Sequence, residues 1–153
     1  LGQCSGSGRK IEPGEEYYGA LVEVEQGLQR RDFCVEFWER EKPQVYCFWK
    51  TKLAPPNEKK ELFISDDMLV AFFERLTNET EPEKVSFRFV LALVLMRKRR
   101  LKYDSTKMED GREIWRLRMA GDKDLVDVVN PHLDEDQIEQ LTSQIGQILQ
   151  ADL

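Results

Sequence analysis

The stretch CSGSGRKIEPGEEYYG, residues 4–19, decides how the first third of the chain is read. A zinc knuckle aims two thiolates at one ion from a single short turn, commonly as Cys-x-x-Cys. Here Cys4 is followed three residues on by Ser7, and further along Cys34 is followed three residues on by Phe37. Each turn keeps its first cysteine and lacks its second. A neutral serine is a poor zinc ligand and phenylalanine is none, so neither zinc nor any other cofactor is expected to bind. The alternative, a structural zinc site, would need Cys4, Cys34 and Cys47, with His132, the only histidine, as a fourth donor. Nothing in their spacing brings these four together. Without metal, Cys4 and Cys34 read as small buried hydrophobes, with Phe37 and Trp38 filling the place of the ion.

Working outward, residues 1–55 read as β-rich. Pro13-Gly14 is a turn signal. YYGALVEV, residues 17–24, has the β-formers and partial alternation of a strand. Gln26-Gly27 marks the next turn. QRRDFCVEFW, residues 29–38, reads as a return strand running into a short helical turn, and QVYCFWKTKL, residues 44–53, as a third strand. Trp38 and Trp49 are large anchors for so small a core. APPNEKKELF, residues 54–63, reads as a linker, since Pro55-Pro56 stops regular structure. That places a domain boundary near residue 56.

Residues 56–153 read as three helices with a β-hairpin. Ser65 suits an N-cap before Asp66 and Asp67, and Met68, Leu69, Phe72, Phe73 and Leu76 recur at helical spacing. Thr80 to Glu83 has the form of a capping box with Pro82 in the first turn. The helix after it is apolar on nearly every side between Phe87 and Met96, the mark of a buried helix. RLKYDSTKMEDGREIWRLRM, residues 100–119, reads as a hairpin turning at Asp110-Gly111, followed by the short strand DLVDVV, residues 124–129. Asp134 and Gln137 form a second capping box. It opens a helix with Ile138, Leu141, Ile145, Ile148 and Leu149 on one stripe. The fold class is therefore α+β, a ribbon-like N-terminal segment packed on the helical unit.

Length, at 153 residues, suits one domain or a small domain with an appended module. A net charge of −6 argues against a general nucleic-acid binder. The charge is unevenly placed, however. Residues 84–118 carry eleven Lys and Arg against four acids, and residues 119–153 one Lys against eight acids. Three cysteines make a poor disulfide framework and point to a reducing, cytoplasmic setting. No secretory signal is seen, although the chain lacks an initiator Met and some native residues are expected before Leu1. The longest apolar run is too short to cross a membrane.

Function is narrower in its exclusions than in its content. No G-x-S-x-G, H-E-x-x-H, P-loop or dinucleotide fingerprint is present, and no catalytic residue is assigned. The expected role is a non-enzymatic, cytoplasmic interaction or accessory protein, its partner a protein bound through Trp38 and Trp49. The alternative is contact with a nucleic-acid phosphate backbone through Arg97, Arg99, Arg100 and Arg112, in the manner of a winged helix. Against it, the helix over residues 89–96 offers no polar face to a groove.

The motifs C-x-x-S-G-R-x-I-x-P-G-E-x-Y-Y, R-R-D-F-C-x-x-F-W and F-W-K, with FRFVLALVLMRKRRLK later in the chain, carry a resemblance. Over most of its length the chain resembles a group of uncharacterised bacterial proteins in which a degenerate zinc-ribbon-like segment is joined to a small α/β unit. The resemblance implies the layout and no functional residues.

Overall fold

The computed structural model describes residues 2–53, 66–150 and 153. These form four helices and two three-stranded antiparallel sheets, an α+β architecture as expected. By compactness the chain divides into two units: Leu1–Arg75 with Gly146–Asp152, and Leu76–Ile145 with Leu153. The linker over residues 54–63, the boundary near residue 56 and the Ser65 cap fall outside the described residues. The helix following them groups with the first unit, not with the second as its sequence position suggested.

In the first unit β1 (Glu16–Val24) is the central strand, flanked by β2 (Gly27–Cys34) and β3 (Cys47–Lys52). The register pairs Tyr17 with Cys34 and Thr51, and Leu21 with Arg30 and Cys47. β2 runs directly into α1 (Val35–Glu41), because Cys34 stays extended and its sulfur accepts the Phe37 N–H as a helix cap. α1 ends where Lys42 turns left-handed at φ 45°. α2 (Asp66–Arg75) packs on β3 and buries Met68, Leu69, Phe72 and Phe73, the stripe expected from its spacing. Arg75 donates to the Tyr46 carbonyl at 2.8 Å while its guanidinium lies over the Tyr46 ring. Gly19 admits the Trp49 ring, which a Cβ at that position would meet at 2.4 Å.

The second unit is built on α3 (Pro82–Arg97) and the sheet β4 (Leu101–Glu109), β5 (Arg112–Met119), β6 (Leu125–Asn130), in that spatial order. α3 packs against β4 and β6 and is buried on most sides from Phe87 to Leu95. Its start differs from the expected capping box. Glu81 is the N-cap and makes no side-chain cap bond, and Pro82 at the first helical position sets the entry instead. The hairpin turns at Asp110 and Gly111, both at positive φ, as a two-residue loop of this type requires. Last comes α4 (Glu135–Leu149). Its capping box is complete: Gln137 N–H donates to Asp134 at 2.8 Å, and Asp134 N–H donates back to the Gln137 side chain at 3.0 Å.

Candidate functional site

The two half-knuckles meet. Cys4 and Cys34 lie in one buried cluster with Ile11, Tyr17, Ala20, Phe33 and Leu53. Each sulfur accepts the N–H three residues on, Ser7 to Cys4 at 3.4 Å and Phe37 to Cys34 at 3.4 Å. Ser7 also spans the pair, its Oγ lying 3.9 Å from the Cys34 sulfur. A backbone bond from Ser5 N–H to the Asp32 carbonyl at 2.7 Å ties the first turn to β2. The Phe37 ring packs on Gly6, where a Cβ would be 2.1 Å from it. That contact occupies the ground between the turns.

The other proposed metal donors are elsewhere. Cys47 faces Leu21 across β1 while Cys34 faces Tyr17, a step of about 13 Å along the strand. His132 is an exposed residue of the second unit. Among the described residues no three His, Cys, Asp or Glu side chains gather into a set able to hold a metal ion. Two thiols and a serine fall short of the four donors of a structural zinc site.

The three thiols differ in chemistry. Burial raises Cys4, but hydrogen bonds from the Ser7 hydroxyl and from the backbone N–H groups of Ser7, Cys34 and Gly6 outweigh it, and its pKa falls to about 7. Burial pushes Cys47 up to about 12, against smaller opposing effects from the Leu21 backbone and Arg75. Cys4 is also among the residues lining a polar pocket of about 430 Å³, with Gln3, Ser5, Arg30, Arg31 and Asp32. In its wall Arg30 and Asp32 form a buried ion pair, Nε to Oδ1 at 3.3 Å. Burial holds the Asp32 carboxyl above its ordinary range although Arg30 works against that. Arg30 also donates to the Leu149 carbonyl, the end of α4, at 2.8 Å, and its Nη2 is buried without a hydrogen-bond partner.

An aromatic surface lies on the other face of the same sheet. Trp38, held by α1, stacks on Tyr18 with ring centres 4.6 Å apart and leans on Phe48 at 5.1 Å. Phe48 is 52% exposed, and Tyr18 and Trp38 are half-buried. Lys50 stands over the Tyr18 ring. Trp49 is not part of this surface. Strand alternation turns it to the opposite side of β3, where it is 4% exposed against Gly19. Trp38 and Trp49 are therefore not brought together, and Phe48 is the exposed ring.

The basic residues are also divided. Arg97, Arg99 and Arg100 sit at the end of α3, whereas Arg112 lies beside the hairpin turn, roughly 25 Å away along β4. Between them, Arg118 pairs with Asp104 at 3.2 Å, Lys107 with Asp127 at 3.1 Å, and Arg116 with Asp127 at 3.5 Å.

No family model, curated protein or solved structure matches this chain. Its chemistry must be read from its own residues. The pocket wall escaped the sequence reading, although QRRDFC held a sign of it. Arg30, Asp32 and Cys34 alternate along one strand, so two opposite charges share the face of a cysteine.

Proposed function

We propose that the protein is a non-enzymatic interaction module that docks a protein partner through Tyr18, Trp38 and Phe48. The observation that carries this reading is the half-exposed Phe48 ring in contact with two further aromatic rings. Partly exposed aromatics of this kind are over-represented at the energetic centres of protein interfaces. A cytoplasmic setting, and membership of the bacterial group whose motifs the chain resembles, belong to the same reading. No helix among the described residues is long and apolar enough to cross a membrane.

The test is affinity capture from the native host's extract, with and without nuclease and at two salt concentrations, using the wild type beside Phe48→Ser. Phe48 is exposed, so its replacement leaves the fold intact. The expected result is a stoichiometric protein, retained through nuclease and salt, that the variant binds at least roughly tenfold more weakly. A partner held equally by both chains would sink the aromatic surface. Recovery of nucleic acid alone, lost with modest salt and weakened by Arg112→Ala, would replace this reading with the phosphate-backbone one.

A further inference from the structure

We propose that Cys4 and Cys34 are a thiol modification site, in which Cys4 is attacked first by a low-molecular-weight disulfide and Cys34 resolves the product into an intramolecular disulfide. Three features support it, two of them geometric.

First, the sulfurs are neighbours. Ser7 touches both, through its N–H to Cys4 and its hydroxyl to Cys34. The turns that carry them are tied together through Ser5 and Asp32. A disulfide must form without large backbone movement, and tied turns whose two sulfurs contact one serine favour that.

Second, both sulfurs are buried, Cys4 1% and Cys34 2% exposed, but only Cys4 borders a recess. Cys4 is among the residues lining the 430 Å³ pocket, and Cys34 is not. Arg31 is exposed in the same lining. A cationic, polar recess suits a small disulfide that carries carboxylates. The N–H and O–H donors around Cys4 stabilise its thiolate, the form that attacks. Cys47, on another part of the sheet, borders no such recess and has its thiol pushed up by burial.

Third, both thiols are free, and two donors do not make a zinc site. The chemistry left to a close thiol pair is exchange.

The step balances as follows. The Cys4 thiolate attacks one sulfur of the incoming disulfide, whose S–S bond breaks. The departing thiolate takes the electron pair and a proton from water. Cys34 then loses its proton to solvent and attacks the Cys4 sulfur of the mixed disulfide, expelling the second thiol. Two cysteines are oxidised by two electrons, and the small disulfide is reduced to two thiols.

Oxidised glutathione is a suitable probe for the whole chain, with acid quenching, alkylation and peptide mass mapping under non-reducing conditions. The wild type is expected to gain a Cys4–Cys34 disulfide while Cys47 stays free. Cys34→Ser is expected to stop as a glutathione adduct on Cys4. Cys4→Ser is expected to gain no adduct on Cys34 in the same time. Should either variant fail to fold, brief iodoacetamide labelling of the native wild type serves instead, with Cys4 expected to be alkylated before Cys34 and Cys47. A wild type left reduced while its unfolded chain oxidises, a disulfide through Cys47, or equal labelling of the three thiols would each overturn the proposal.

Discussion

Arg30 has a side chain only 1% exposed, and its contacts come from four parts of the chain: Asp32 on its own strand, Trp49 on β3, Met68 on α2 and the Leu149 carbonyl at the end of α4. Breaking a buried ion pair from one side leaves an uncompensated charge. Arg30→Met is therefore expected to cost about 3–5 kcal/mol at neutral pH. The deficit should depend on pH, with a sign fixed by Asp32. Burial already holds that carboxyl above its ordinary range, and losing Arg30 raises it further. A carboxyl whose folded pKa exceeds its unfolded one supports the fold when neutral and loses that support as pH rises through the folded value. The penalty for Arg30→Met should thus shrink as pH falls into the carboxylate range. Urea unfolding of both chains at neutral and acidic pH checks this. An unchanged penalty would mean that the Leu149 carbonyl and packing, not Asp32, account for the cost. At this scale the sequence showed which residues were charged or aromatic, and it showed poorly which were buried. Trp49 and Arg30 could not be placed from composition, since burial depends on what lies across the sheet.

Among the elements, the two expected capping boxes had opposite outcomes. Asp134 and Gln137 exchange both hydrogen bonds at the start of α4. At α3 the motif was present but Glu81 became the cap, with no side-chain bond, because Pro82 sets the first turn by its fixed φ. Asp134→Ala should therefore cost about 1 kcal/mol and speed amide exchange in the first turn of α4. Thr80→Ala, at an exposed residue outside the bonded cap, should change stability by less than about 0.5 kcal/mol. Equal costs at the two positions would show that the α3 motif caps in solution. The strands were more legible. Asp110-Gly111 located the second hairpin and the Gln26-Gly27 turn located the start of β2, because both signals act within a few residues. The boundary between units was not legible, since α2 adheres to β3 through apolar contacts that leave no local signature.

On the scale of the whole molecule, the first unit takes in Gly146–Asp152, far along the chain from its sheet. Leu149 is fully buried and its carbonyl receives Arg30, a contact spanning 119 positions. Removing residues 146–153 should therefore lower amide protection in β1 and β2 by about 3–5 kcal/mol, the scale of a lost buried leucine and its hydrogen-bonded neighbour. Hydrogen exchange that left β1 and β2 unaffected would mean the last turn of α4 contributes little to that unit.

The sequence by itself determined the fold class, the order of most elements, the hairpin turns and the cap of α4, because those depend on propensity and spacing within a turn or two. It also determined that each half-knuckle lacks a second cysteine. Only the tertiary structure decided that the two remaining thiols lie together beside a pocket, that Phe48 rather than Trp49 faces outward, and that Arg112 stands apart from the other arginines. Each of those outcomes depends on strand register and packing, which bring distant residues together or part near ones without altering any local pattern.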